Sequence, residues 1–180
     1  MSKEIVFIEG SPSPTSRSSQ VARTIGAHLK AAGFSARVFS LHDFQPADVL
    51  FGRVETPEAQ AFLGSVRGAG AIVLSTPVYK ATYAGGLKAI VDLLPPDSLT
   101  GRPALGIATT RSEAHGLEVA QAYRSLFAFF SANVVGALVV LDSELRVEGE
   151  KVSFLEPAKE RVGAAARLLI ETLDARLPSI

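Results

Sequence analysis

Between Glu9 and Val21 the chain reads Glu-Gly-Ser-Pro-Ser-Pro-Thr-Ser-Arg-Ser-Ser-Gln-Val, a turn crowded with hydroxyls and one guanidinium that follows the apolar run Ile5-Val-Phe-Ile. Such a passage from strand to helix suits a phosphate monoester. Gly10 permits a sharp exit from the strand, and Ser11, Ser16 and Ser18 supply hydroxyls. The first amides of the following helix bring the positive end of its dipole to the same place, and Arg17 can close over the anion as a charged clamp. The same Ser and Thr residues suit plain helix capping, which a strand-to-helix turn needs in any case. The loop carries neither Gly-x-Gly-x-x-Gly nor a terminal Gly-Lys-Ser/Thr. That excludes the dinucleotide fingerprint of a Rossmann domain and the nucleoside-triphosphate P-loop.

Two further loops carry polar and aromatic groups. In Thr76-Pro-Val-Tyr-Lys-Ala-Thr-Tyr83, Pro77 fixes the chain as it leaves a strand, and Val78 and Tyr79 can wall a slot for a flat aromatic ligand. Amides at Tyr79 and Lys80 can then donate to heteroatoms on its edge, although Tyr79 and Tyr83 would equally serve to cover the end of a sheet. Gly85 and Gly86 follow within a first helical turn, where each costs about 1 kcal/mol against Ala, so close packing or backbone approach is expected there. The third loop is Thr109-Thr-Arg-Ser-Glu-Ala-His115. Thr109, Thr110, Arg111 and Ser112 can bond the opposite edge of the same ligand, with Arg111 beside a carbonyl that gains negative charge. Ser112 is also a fair N-cap for the next helix. His115 is read as a structural hydrogen-bonder that pins the loop rather than as a proton carrier.

What must position these loops is an alternation of strands and helices. Hydrophobic periodicity predicts strands at about Glu4–Glu9, Ala36–Leu41, Ala71–Ser75, Pro103–Ala108 and Val134–Leu141, and helices at about Arg17–Ala32, Pro57–Val66, Ala84–Leu94, Ala114–Phe130 and Glu156–Arg176, with a loop around Phe44-Gln-Pro-Ala-Asp. Right-handed crossovers then favour a flavodoxin-like three-layer α/β sandwich with a five-stranded parallel sheet of order 2-1-3-4-5. Its ligand site lies beyond the carboxyl ends of the strands, where all three loops fall. At 180 residues and 47% hydrophobic content the chain is expected to form a single domain, residues 1–180.

Eighteen basic residues balance eighteen acidic ones, so no net charge draws the protein to nucleic acid or an anionic membrane. The absence of cysteine excludes disulfides, thiol catalysis and thiolate metal sites, and leaves any redox chemistry to a bound cofactor. No apolar stretch approaches bilayer-spanning length, and the N-terminus lacks a secretory apolar core. A cytoplasmic protein is expected. The apolar residues Leu126-Phe-Ala-Phe-Phe130 and Ile90, Val91, Leu93 and Leu94 exceed what one sheet face readily buries, so part of them is expected at a subunit interface.

The Gly10-Ser-Pro…Ser16-Arg-Ser-Ser loop, the segment Thr76-Pro-Val-Tyr-Lys-Ala-x-Tyr-x-Gly-x-Leu-Lys88, the following Asp92-Leu-Leu-Pro and the pair Ala114-His115 together resemble the NAD(P)H-dependent FMN reductases. The match runs from the first strand to about Asp142 and is closest to the branch that supplies reduced flavin to alkanesulfonate monooxygenases. The resemblance implies a flavodoxin-like subunit that forms homodimers or homotetramers and uses NADPH or NADH to reduce FMN. It places the FMN phosphate on Ser11, Ser16, Arg17 and Ser18, the isoalloxazine along Pro77, Val78, Tyr79, Lys80 and Ala81, and its pyrimidine side near Thr109, Thr110, Arg111 and Ser112. It implies no metal and no obligatory acid, base or nucleophile. A two-component flavin-dependent monooxygenase is the partner it suggests.

The chain departs from that pattern in three places. Ser13 stands where relatives carry Arg, and Thr110-Arg111 where they tend to have Gly-Gly. The inserted Tyr that can cover a neighbouring subunit's flavin would correspond to Gln121, with Tyr123 close by. A second enzymatic reading keeps FMN as a fixed prosthetic group that reduces quinones, azo dyes or metal oxyanions. A reading of another class, a flavodoxin-type electron carrier, expects an acidic docking face that this neutral chain lacks.

Overall fold

Ile5, Val6, Phe7 and Ile8 are all inaccessible to solvent, so successive side chains of the first strand are covered on both sides, as in a parallel sheet sandwiched between helices. The computed structural model describes residues 2–148 and 151–176. Its elements run β1 (Glu4–Glu9), α1 (Arg17–Ala31), β2 (Ser35–Ser40), α2 (Pro46–Leu50), α3 (Pro57–Gly68), β3 (Ala71–Tyr79), β4 (Thr82–Tyr83), α4 (Gly85–Val91), β5 (Pro103–Thr110), α5 (Glu113–Phe129), β6 (Asn133–Leu141), β7 (Leu145–Glu148), β8 (Lys151–Phe154) and α6 (Glu156–Asp174). Five long strands pair in parallel in the order β2-β1-β3-β5-β6, with β4 attached to β3 off this path. Counted without β4, that is the expected 2-1-3-4-5.

Alternate residues of each strand feed two cores. Val6, Ile8, Ile72 and Leu74 pack with Phe62 and Val66 of α3, Leu87 and Ile90 of α4, and Val119, Tyr123 and Phe127 of α5. Ile5, Phe7, Val73, Leu105 and Ile107 pack with Val21, Ile25 and Leu29 of α1 and Val162, Leu169 and Leu173 of α6. The fold is therefore helix, sheet, helix.

The departures from expectation have local causes. Strand β3 continues to Tyr79 instead of stopping at Ser75. Its partner β1 ends in the pair Glu9 with Ser75, so Pro77 lies past the last rung on that side and its missing N–H breaks no ladder there. Within the expected loop after β2, Pro46 starts the short helix α2 and buries Val49. An antiparallel hairpin, β7–β8, follows β6 and was not anticipated. The expected interface residues are a further correction: Ile90, Val91, Leu93, Leu94, Phe127 and Phe130 are all buried in the core beneath α4 and α5. Of the run 126–130, Leu126 is half-buried, while Ala128 and Phe129 are exposed, Phe129 to 64%.

Tyr123 also lies in this core, fully buried, and does not reach outward. Its hydroxyl donates to the Ile107 carbonyl at 2.8 Å and lies 3.4 Å from the Leu74 carbonyl, joining β5 to β3. Gln121, by contrast, is exposed. Burial pushes the Tyr123 phenol well above its ordinary value. A neutral acid with a raised folded pKa stabilises the protein below the unfolded value and loses that contribution as pH rises. We expect alkaline unfolding above the ordinary tyrosine range. Tyr123→Phe should cost about 1–2 kcal/mol at neutral pH while reducing that alkaline loss, as measured by denaturant unfolding across pH.

Candidate functional site

The carboxyl ends of β1, β3, β5 and β6 open into a cleft of about 740 Å³, within the range that holds a small organic ligand. On its first wall, β1 turns at Gly10, whose N–H donates to the Ser75 carbonyl at 2.9 Å. A Cβ at Gly10 would lie 2.1 Å from the Cβ of Leu87, and one at Gly86 would lie 2.9 Å from the Gly10 carbonyl oxygen. The first turn of α4 is thus pressed directly on the exit of β1. Gly86 bears out the expected close approach, while exposed Gly85 has nothing near it.

Beyond Gly10, Ser11 Oγ accepts the Ser13 N–H at 3.1 Å, and the chain enters α1 at Ser16. The Ser16 hydroxyl makes no cap bond to the helix and no acidic residue occupies the first turn. It pairs instead with Ser18 Oγ at 2.7 Å. The first amide bonded along the helix is that of Gln20, to Ser16. The amides of Arg17, Ser18 and Ser19 precede any intrahelical acceptor, so the positive end of α1 meets the loop without a protein carboxylate on it.

The second wall is Pro77, Val78 and Tyr79. Thr76, fully buried, ties it down by donating to the Pro77 carbonyl at 2.9 Å and accepting the Ala84 N–H at 2.9 Å. Tyr79 pairs with Thr82 across a two-residue reversal in which Lys80 and Ala81 have φ of 52° and 68°. Both are left-handed, as a tight hairpin demands, yet neither is Gly or Asn. The reversal carries Lys80 and Ala81 past the cleft, which they do not line.

Thr109, Thr110, Arg111 and Ser112 form the third wall. Thr110 Oγ1 lies 3.3 Å from the Ser112 N–H and turns the chain into α5. Ser112 occupies the N-cap position, but its side chain makes no cap bond. His115 lines the cleft as an exposed residue with no hydrogen-bond partner among the described residues, so the expected pinning role is not seen.

The cleft thus gathers Ser11, Ser16, Arg17, Pro77, Val78, Tyr79, Thr109, Thr110, Arg111 and Ser112, and omits Ser18, Lys80 and Ala81. Ser18 lies behind Ser16, wholly buried. Asp142 and Val147 line it too, and sequence reasoning missed both. Asp142, just after β6, accepts from Arg17 Nη1 at 3.0 Å and lies 3.7 Å from Arg111 Nε. No group of three or more metal-ligating side chains occurs among the described residues, and no described helix is long and apolar enough to cross a membrane.

A parallel sheet of this order, with an anion-binding turn after β1 and a slot where strand order reverses, defines the flavodoxin-like fold. A flavodoxin from the domain Archaea superposes with a TM-score of 0.60 over 96% of this chain and 97% of its own at 11% identity, a likeness of fold. Residues 4–145 match the NADPH-dependent FMN reductases, and the chain belongs to that family. It is 35% identical over 158 residues to an FMN reductase (NADPH) of Pseudomonas putida strain KT2440, covering 87% of this chain and 80% of that one. The apo structure of an NADH:FMN oxidoreductase superposes with a TM-score of 0.83 at 27% identity, over 98% of this chain and 91% of its own. The donor set fits the family's flavin nucleotide: uncapped amides, hydroxyls and a guanidinium for a phosphate, and two walls of small or flat groups for a ring.

The hairpin provides a test of how the second wall is held. Each left-handed residue with a Cβ stores about 1–2 kcal/mol. Replacing Ala81 by Gly should therefore raise stability by about 0.5–1 kcal/mol after the added unfolded-state entropy is subtracted. Ala81→Val should lower it by about 1 kcal/mol or more. Denaturant midpoints of the two variants check the order.

Proposed function

We propose that the cleft seats FMN with its phosphate at Ser11, Ser16 and Arg17 and its ring between Pro77–Tyr79 and Thr109–Ser112, for the activity of this chain's family, reduction of FMN by NADPH or NADH. The observation that carries this placement is the N-terminus of α1, free of side-chain caps and first-turn acids, opening into the same cleft as both ring walls. When bound in the cleft, FMN would supply the redox chemistry, taking hydride from the nicotinamide coenzyme. Chain residues supply proximity and orientation. Ser18, behind Ser16, orients the loop, and the reaction needs no side chain to move a proton, so no catalytic residue is assigned.

Arg17 is half exposed, as is Tyr79. A clamp and a wall so open to solvent support exchange of FMN as a diffusible substrate, for delivery of reduced flavin to a two-component monooxygenase. The runner-up keeps FMN fixed. Sequential kinetics with saturable FMN support the first, whereas ping-pong kinetics with flavin retained through gel filtration support the second. A cytoplasmic homodimer or homotetramer completes the reading. Leu117 and Phe129 of α5, 76% and 64% exposed, offer apolar surface for self-association, and sedimentation tests it.

Arg17→Ala should weaken FMN about ten- to a hundredfold, the worth of one charge-assisted contact of about 1.5–3 kcal/mol, and leave riboflavin nearly unaffected. Equal losses for the two flavins would overturn the phosphate placement. Arg111, 91% exposed, is too well solvated to act strongly on a buried ring. Arg111→Gly should raise the KM for NADPH about two- to fivefold at low salt, measured with FMN saturating.

A further inference from the structure

Asp142 is a carboxylate facing a cleft whose other charged groups are cations. Its Oδ2 holds Arg17 Nη1 at 3.0 Å and stands 3.7 Å from Arg111 Nε, while its side chain is only 23% exposed. The turn that presents it is braced from behind. Glu144 Oε2 accepts both the Leu141 N–H at 2.8 Å and Arg161 Nη2 at 2.6 Å, and the Glu144 carbonyl accepts the Leu155 N–H at 3.0 Å. The backbone that carries Asp142 is therefore held, and the arginine, on its longer and more exposed side chain, is the partner with more freedom to move.

We propose that Asp142 is an internal competitor for the phosphate clamp, holding Arg17 in the free protein and yielding it, against its own charge, when a phosphate enters. This rests on the placement of the flavin phosphate at Arg17. Arg17 and Asp142 cancel, so a phosphate monoester of charge about −2 meets no net positive side-chain charge at the clamp. Without the aspartate the clamp would carry the full charge of Arg17. Asp142 thereby weakens the flavin nucleotide selectively and speeds its departure, which suits a reductase that releases reduced FMN, and it sets the discrimination between FMN and uncharged riboflavin below what the arginine alone would give.

The experiment titrates the full-length apoprotein with FMN and with riboflavin, following flavin fluorescence, for wild type, Asp142→Asn, Asp142→Ser, Arg17→Ala and the double variant Arg17→Ala/Asp142→Asn. Both Asp142 variants should tighten FMN about three- to tenfold and slow its dissociation, leave riboflavin within about twofold, and lose much of the gain at high salt. In the Arg17→Ala background most of the gain should vanish. If Arg17→Ala weakens FMN selectively but neither Asp142 variant tightens it, Asp142 orients the clamp or is idle, and the competitor role is overturned while the phosphate placement stands. If Arg17→Ala weakens FMN and riboflavin alike, the placement itself falls, and the proposal with it.

Discussion

The contact between Gly10 and Leu87 is the constraint on which the site's geometry depends. With no side chain on Gly10, the backbone of α4 rests on the exit of β1, and α4 is the helix into which the second cleft wall runs. The same residue's N–H is bonded to Ser75 of β3. One point of contact thus registers the turn after β1 against the wall after β3. Neither loop has to find the other through flexible side chains, and the distance from the start of α1 to the wall at Pro77 is set by strand spacing and helix packing.

Onto that rigid frame the chain places charge sparingly. The positive end of α1 is left to hydroxyls and amides, whose dipoles are fixed by the backbone and need little reorganisation when an anion arrives. The full charges stand at the rim, Asp142 on a braced turn and Arg17 and Arg111 on longer, more exposed side chains with freedom to move. In the proposed placement the fixed dipoles meet the phosphate, while Arg17 and Asp142 tune how tightly it is held and how readily it leaves.

Much of this could be read from sequence, because parallel strands and their crossover helices announce themselves by apolar runs and 3.6-residue periodicity, and the switch-point rule then nominates the loops. That Ser11, Ser16 and Arg17 share one cleft was legible for that reason. Asp142 was not, since it lies 125 residues from Arg17 and only the packing of α1 across β3 and β5 brings the start of that helix toward the end of the edge strand β6. Lys80 and Ala81 hid a left-handed turn because they lack the Gly or Asn that marks one. The aromatic run ending α5 misled in another way. Phe127 and Phe130 are three apart and share a buried face, while Phe129 points away, and counting apolar residues without assigning faces overstated the free surface.

Tyr123 and Gly106 have a consequence for how this chain can change. The ring of Tyr123 lies where a Cβ on Gly106 would be, 2.5 Å from the nearest ring carbon, and its hydroxyl is bonded to a carbonyl of β5, the same strand. The two residues are a knob and its socket in different elements. A side chain at position 106 is admissible only after the ring has gone, and losing the ring first opens a cavity and leaves the Ile107 carbonyl without its donor. Each single step is therefore worse than both ends, so substitutions at these two positions are epistatic, and drift along either one alone is blocked.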